Sequence, residues 1–417
     1  MKIAIIGAGI IGVTTAYELA ADGHEVTVFE RHAAAAEEAS FANAGLVAPG
    51  YVMPWAGPGM PGKVLWSLLR QHVTVRIGRP LSGAELSWIW KWRRACKRET
   101  YLANRARLQR LAFYSAERLR QLNADLPLEY ERSEGCLMLL RTGRDQQLAQ
   151  PALQVIRDAG VVFREIDAAE ARRVEPALNA DTALAGAIHL PRDEVGNCRQ
   201  FAMGLKTGAE LRGANFRFNT SVARISRSSP ASLYIVGETQ RKRFDALVLC
   251  AGVASAALLK PLGLSLPMAP VYGYSISAQI REPLNAPQNA VMDERYQVAI
   301  TRLGQRVRVA GGAEIGGSPG HKRAASLQTL YKVLHDWFPG AAQLSNGVQE
   351  WKGARPMLPD GPPVLGASGV PGLWLNLGHG GSGWALSCGS ARVLADLIAG
   401  QAPAIDLEGL GVERLLR

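Results

Sequence analysis

The first thirty residues restrict the fold more than any other part of the chain. Lys2-Ile3-Ala4-Ile5-Ile6 is short, apolar and rich in β-branched residues, as a strand buried on both faces must be, and it ends at a glycine. Gly7-Ala8-Gly9-Ile10-Ile11-Gly12 follows, then a helical run from Val13 to Ala21, a turn at Asp22-Gly23, and a second strand from Glu25 to Phe29 closed by Glu30. The spacing predicts a β-α-β unit with G-x-G-x-x-G in its turn and an acid eighteen positions after the last glycine. Gly7 makes the tight turn, Gly9 lets the backbone approach a pyrophosphate, and Gly12 lets helix and strand pack closely. The free N–H groups at Ile10 and Ile11 meet the phosphates at the positive end of the helix dipole. Glu30 is placed to accept from a ribose diol, and its charge disfavours a 2′-phosphate. Met1-Lys2 before an apolar run is also how a secretory signal peptide starts. Such a peptide needs neither these glycine spacings nor a second strand closed by an acid. A dinucleotide site is expected. The unit alone leaves FAD and NAD open, and its place at the start of a long chain with a large remainder favours FAD.

The 417 residues, 47% apolar and 20% charged, suit roughly two soluble globular domains. The net charge of +11, carried largely by arginine, fits anionic ligands or an anionic membrane surface. Nucleic acid is not expected, because no zinc-knuckle, homeodomain or RNP pattern accompanies the charge. Cys96, Cys136, Cys198, Cys250 and Cys388 are scattered with no C-x-x-C pair. Neither a metal site nor a disulfide framework is therefore expected, and a reducing cytoplasm suits them. The longest uncharged apolar stretch in the middle of the chain, between Asp245 and Lys260, falls short of the roughly twenty residues that span a bilayer.

Small residues, glycine and proline fill Ser40 to Tyr51, a loop that can lie against a flat ligand and offer it backbone donors. In Ser87 to Arg94, Trp88, Trp90 and Trp92 stand beside Lys91, Arg93 and Arg94. That pattern suits core packing or a peripheral helix on the inner face of the cytoplasmic membrane. Arg98 to Leu122 reads as an amphipathic helix with Leu102, Leu108, Leu111, Leu119 and Leu122 on its apolar stripe. Further along, strands are expected at Leu137 to Leu140, after a Glu134-Gly135 turn, and at Ala185 to Leu190, ending at Pro191. Helices are expected at Asp145 to Ala159, Cys198 to Arg212 and Ser326 to Phe338. Phe244 to Gly252 is a second buried strand running into a small-residue turn, where Ala251 and Gly252 can meet the cofactor. Pro270 to Ile280 and Gln297 to Ala310 alternate as antiparallel strands do.

Parallel α/β texture thus brackets antiparallel β texture. The expected fold is α/β: a Rossmann-like FAD-binding domain from residues 1–125, 196–264 and 351–417. A substrate domain on an antiparallel or mixed sheet, residues 126–195 and 265–350, is inserted into it.

Strand Leu373 to Leu377 runs into Gly378-His379-Gly380-Gly381-Ser382-Gly383-Trp384 and a helix to Ala399. With no trailing acid or Walker lysine, this is not a second phosphate loop. Its helix N-terminus suits the negative charge of a reduced flavin. His379 is either a donor to the flavin or a loop residue.

These motifs together resemble the D-amino-acid dehydrogenase small-subunit family, within the D-amino-acid oxidase-like flavoproteins, nearly end to end. The resemblance rests on the opening fingerprint, Ser40-Phe41-Ala42-Asn43-Ala44-Gly45, Pro49-Gly50-Tyr51 and Pro54-Trp55-Ala56-Gly57-Pro58-Gly59. It continues through Leu190-Pro191-Arg192-Asp193-Glu194-Val195-Gly196, Gly273-Tyr274-Ser275, Arg355-Pro356, Pro359-Asp360-Gly361 and the Gly378 to Trp384 loop. It implies non-covalent FAD and oxidation of a free D-amino or imino acid, with cyclic acids such as D-proline or hydroxy-D-proline among the possible substrates. Hydride would pass from Cα to flavin N5, the imino acid would hydrolyse to a 2-oxo acid and ammonia, and electrons would go to a quinone or other respiratory acceptor. An oxygen-using oxidase of the same fold and a non-catalytic flavin-binding subunit stay open.

By this resemblance Asn43, Ala44, Gly45 and Leu46 line the isoalloxazine, and Gly378 to Gly383 cap its pyrimidine edge. Val222, Ala251 and Gly252 lie by the nucleotide half, with Glu30 and Arg31 at the ribose. Arg355 is the expected carboxylate anchor, since a guanidinium fork matches a carboxylate bidentately, with Tyr272 and Tyr274 hydrogen-bonding the same group, shaping the pocket, or simply packing as strand tyrosines in the sheet. Two positions depart from the family pattern: Gly381-Ser382 stands for Thr-Leu, and Tyr272 stands for lysine. The family's broad substrate range is therefore not carried over.

Overall fold

Strand Lys2–Ile6 lies near the middle of a parallel sheet, with Glu25–Phe29 on one side and Ala246–Leu249 on the other. The structure is a computed structural model that describes residues 1–67, 73–78 and 80–416. The full order of this sheet is Val364–Ala367, Leu373–Leu377, Ala246–Leu249, Lys2–Ile6, Glu25–Phe29 and Asn215–Arg217, and the first strand alone runs antiparallel. Its strands are apolar throughout because both faces are covered. On one face Ile3, Ile5, Val28 and Val248 pack against helices Ile10–Ala21, Arg98–Asp125, Cys198–Glu210 and Gly383–Ile398. On the other, Phe29, Leu247 and Leu249 meet a three-stranded antiparallel sheet of Val222–Ser226, Ala231–Ile235 and Lys242–Phe244.

A second, mixed sheet has the order Gln349–Met357, Ala269–Gln279, Arg306–Ile315, Val298–Leu303, Ala290–Asp293, Ser133–Leu140, Gly186–Val195 and Leu46–Val47. Val75–Ile77 pairs with Arg306–Ile315, and Arg164–Asp167 with Gly186–Val195. Alternation gives its two faces separate partners. Leu137, Leu139, Tyr274, Ile276, Ile300 and Val309 bury against helix Ala324–Trp337. Cys136, Met138, Leu190 and Met292 point the other way, under helix Gly143–Asp158.

Several expected boundaries move. Gln297 to Ala310 is two strands folded at Gly304, whose φ is +58°. Glu134-Gly135 is not a turn but a bulge inside a strand, and the strand facing it runs on past Pro191 to Val195. The Arg355 segment, for which no strand was expected, is the edge strand Gln349–Met357. Leu46–Val47 and Val75–Ile77, both within the stretch expected to belong to the nucleotide-binding domain, hydrogen-bond to the second sheet. The expected domain limits therefore cut across strand pairing.

Helix Gly83–Ala95 turns Trp88 and Trp92 into a core they share with Trp55, and the Trp88 indole donates to the Met357 carbonyl at 2.9 Å. Trp90, on the opposite side, is 56% exposed beneath Arg94. Leu102 is likewise exposed, whereas Leu108, Leu111, Leu119 and Leu122 are buried as their stripe requires.

Three of the helices on this sheet, Ile10–Ala21, Arg98–Asp125 and Gly383–Ile398, are tied by one buried carboxylate. Glu18, 1% exposed, accepts from Arg118 at 2.7 and 2.9 Å and from Arg392 at 3.0 Å. Arg392 also reaches Asp22 and Asp396. Removing one member of such a cluster leaves desolvated charge behind. Glu18→Ala is expected to lower unfolding stability by about 3 kcal/mol, read from denaturant melts.

Candidate active site

Four adjacent parallel strands deliver their carboxyl ends to one side of the first sheet: Leu377 into Gly378, Leu249 into Ala251-Gly252, Ile6 into the fingerprint, and Phe29 into Glu30. Chain crossover at this edge makes it the place where an open α/β sheet binds ligands. Gly7 has φ +102°, closed to most side chains, and a Cβ there would lie 2.7 Å from the Cys250 carbonyl. A Cβ on Gly12 would run into the Gly7 carbonyl oxygen, so helix and strand touch through backbone alone. Gly9 caps helix Ile10–Ala21 with no side-chain bond and no acid in the first turn, and the Ser40 hydroxyl accepts from the Ile10 N–H at 3.1 Å. Ile10 is buried and Ile11 half-buried, and the Ile10 N–H expected to be free is instead taken by Ser40.

Glu30 is buried, and each of its oxygens takes one backbone N–H, Ala8 at 2.7 Å and His32 at 2.9 Å. Each oxygen keeps a lone pair for a hydroxyl. Arg31 points outward and pairs with Glu38, so its side chain does not turn toward the fingerprint. Val222 opens the strand that follows the Glu30-bonded Thr220, and Gly252 has no atom within 4 Å of a built Cβ.

The Asn43 to Leu46 loop is held from three directions. Trp384 donates to the Gly45 carbonyl at 3.1 Å, Gly196 donates to it at 2.9 Å, and Arg308 donates to the Asn43 carbonyl at 3.3 Å. Ala44 and Leu46 stay half-buried between these anchors. Arg308 is 5% exposed, also bonds Ser277, and among the described residues has no ion pair. Burial and the neighbouring Arg306 pull its pKa down to about 10.

Facing this loop is the inner side of strands Ala269–Gln279 and Gln349–Met357. Arg355 lies opposite Val271, Gly353 opposite Gly273, and Trp351 opposite Ser275. A Cβ on Gly273 would overlap the Arg355 guanidinium, and one on Gly353 would overlap the Trp351 ring. Both long side chains thus lie flat over glycine. Arg355 donates to the Gly312 carbonyl at 2.8 Å and passes within 4 Å of where a Gly381 Cβ would stand. Burial alone lowers its pKa, and no acid among the described residues pairs with it.

Tyr272 and Tyr274 do not join Arg355. They alternate onto the other face of the sheet, where Tyr274 donates to Glu314 and the Lys352 ammonium lies 4.3 Å from the Tyr272 ring centroid. Lys352 and Glu314 form an ion pair at 2.9 Å, both side chains 2% exposed. His379 also turns away from the cleft. Its Nε2 lies 3.0 Å from Ser390 Oγ, and burial pushes its pKa down to about 3. Among the Gly378 to Gly383 positions it is therefore a neutral packing group. Gly378 and Gly380 have positive φ and no room for a Cβ, against Leu358 and Met357, while Gly381, Ser382 and Gly383 begin a helix with no acid in its first turn.

The pattern of the FAD dependent oxidoreductase (DAO) family matches residues 2–397. The chain belongs to this family. A D-amino acid dehydrogenase of Cereibacter sphaeroides is 44% identical over 418 residues, covering 99% of this chain and 95% of that one. The D-amino acid dehydrogenase of Bradyrhizobium diazoefficiens is 43% identical, covering 99% of both. Among solved structures, glycine oxidase from Geobacillus kaustophilus superposes with TM-score 0.75 at 24% identity, covering 99% of this chain and 98% of that one. L-proline dehydrogenase from P. horikoshii gives 0.73 at 17%, covering 100% and 98%. These two establish the fold.

FAD is the cofactor of this family, and the donor set fits it. Backbone without Cβ and an acid-free helix start suit a pyrophosphate, Glu30 suits a ribose, and the Asn43 and Gly378 loops suit a flat ring system. Sequence reading gave no individual role to Arg308 or Trp351, nor to Ser40 and Phe41 within the loop it singled out. The one visible signal was Arg308 itself, a charged residue between Val307 and Val309 in an apolar strand.

Two outcomes follow from this geometry. Gly12→Ala forces helix and strand apart and is expected to purify without flavin colour. His379, neutral when folded and titrating near 6.5 when unfolded, makes stability fall as pH drops from about 6.5 toward 3, by about 1.4 kcal/mol per pH unit. His379→Gln is expected to remove that slope, read as the difference between variant and parent unfolding curves across this range.

Proposed function

We propose that this family member oxidises free D-amino acids and delivers the electrons to a respiratory acceptor such as a quinone rather than to oxygen. The observation that carries the reading is Arg355, a guanidinium with no acidic partner on the wall that faces the Asn43 and Gly381 loops. A buried charge without a partner is costly, and a substrate carboxylate satisfies it bidentately. Relatives named D-amino acid dehydrogenase, alike over nearly the whole chain, supply the stereochemical class.

FAD, when bound, accepts the substrate's Cα hydrogen as a hydride at N5. The chain's own contribution is positioning. Arg355 fixes the carboxylate, and the glycine-floored wall lets the amino acid lie close to the cofactor plane. Among the described residues neither Tyr274, bonded to Glu314 on the far face of the sheet, nor His379, turned toward Ser390, is poised in the cleft as a base. The amine must therefore lose its proton before reaction, and kcat/KM is expected to rise with pH through the substrate's ammonium pKa. The imino acid leaves and hydrolyses to the 2-oxo acid and ammonia.

Exposed Leu86 and Trp90, four positions apart on one helix and flanked by exposed Arg93 and Arg94, support docking on an anionic membrane surface beside that acceptor. No helix among the described residues is long and apolar enough to cross a membrane.

Mixing the yellow protein anaerobically with D-amino acids is the direct test: at least one must bleach the flavin. Fast reoxidation by a quinone and slow reoxidation by air fit a dehydrogenase, and the reverse identifies an oxidase. Arg355→Ala is expected to keep FAD while kcat/KM falls about a hundredfold or more, mostly through KM. Unchanged KM removes Arg355 from this role.

A further inference from the structure

Gly273 and Gly353 are directly opposed on neighbouring antiparallel strands. Side-chain positions of such a pair stand roughly 5 Å apart. The Arg355 guanidinium takes up the Gly273 position, and Cη2, Cζ2 and Cζ3 of Trp351 take up the Gly353 position. Guanidinium and indole are therefore side-by-side neighbours on the inner wall. On its other side Trp351 stacks with Phe41 of the small-residue loop, with ring centroids 6.4 Å apart and planes 26° apart. The Arg199 guanidinium lies 4.4 Å from the Phe41 ring centroid. Both aromatic residues are half-buried, and neither belongs to a hydrophobic core cluster of the described residues. Core packing therefore does not account for an indole laid flat over a glycine. The hydroxyl of Ser275, opposite Trp351, is buried and has no hydrogen-bond partner among the described residues.

We propose that Trp351, braced by Phe41, is the specificity-determining wall that receives the substrate's side chain and selects apolar or ring-bearing amino acids over small or charged ones. The assignment rests on the amino-acid oxidation proposed above. A carboxylate seated on Arg355 leaves Cα and its substituent within one side-chain width of the indole. A ring or branched apolar group gains contact there, a methyl group gains little, and a charged group would be desolvated without a partner.

The experiment has two readouts. In turnover, the ratio of kcat/KM for D-proline or D-phenylalanine to that for D-alanine should fall roughly tenfold in Trp351→Ala and recover largely in Trp351→Phe. Without turnover, titrating benzoate and acetate into the oxidised holoenzyme and following the flavin spectrum should show benzoate binding more tightly in the parent. Trp351→Ala should lose that preference while its acetate affinity holds. Gly353→Ala, which displaces the indole, should reproduce both effects, and it stands in if Trp351→Ala fails to retain flavin. A substrate ratio or a benzoate-to-acetate preference unchanged in these variants overturns the assignment. If no D-amino acid bleaches the parent, the amino-acid reading fails, and the carboxylate titrations still decide the role of Trp351.

Discussion

The contact between the Gly7 carbonyl and the α-carbon of Gly12 is the constraint from which the rest of the molecule is built. It lets a helix start directly above the end of a central strand, so unpaired N–H groups gather at one point of the sheet edge. Each other cofactor-facing segment is a strand end arriving beside that point. Glycine recurs at these ends because a side chain there would meet backbone or another core residue, as at Gly378 against Leu358. The nucleotide half of the cleft is thus made by what is left out.

Charge is distributed by the same logic. Besides Glu30 at the nucleotide end, two buried acids serve outside the cleft: Glu18 binds three helices together, and Glu314 neutralises Lys352 behind the second sheet. Inside the cleft two guanidinium groups, Arg308 and Arg355, stand without acidic partners among the described residues. An interior left positive in this way suits a cofactor that gains electrons and a substrate that brings a carboxylate. The excess of basic residues over acids seen in the composition is therefore partly functional, though most of it lies on the surface.

Local motifs were legible in the sequence, and orientation was not. The fingerprint, Glu30 and the Gly378 loop could be read because their constraints act within a few residues of chain. Arg355 was found from its Arg-Pro setting, but the edge strand that carries it was not foreseen. Tyr272 and Tyr274 could not be assigned between pocket and sheet packing because a strand residue's face depends on register. That register is fixed by pairing with residues some eighty positions away in Gln349–Met357. His379 stayed open for a related reason: sequence shows the loop and the helix, but not that the imidazole turns toward Ser390. Helical spacing did carry the information that Trp88 and Trp92 share a face and Trp90 does not.

The two-residue strand Leu46–Val47 has a wider meaning. It extends the loop beside the flavin ring site and hydrogen-bonds to Val195 and Glu194 of the second sheet. Arg308, from the same sheet, grips that loop at Asn43. A ring lodged against the loop is thereby mechanically joined to the surface that receives the substrate. FAD seated as proposed would then be a structural keystone as well as a reagent: loading it would set the depth of the pocket, and losing it would slacken a sheet it does not belong to.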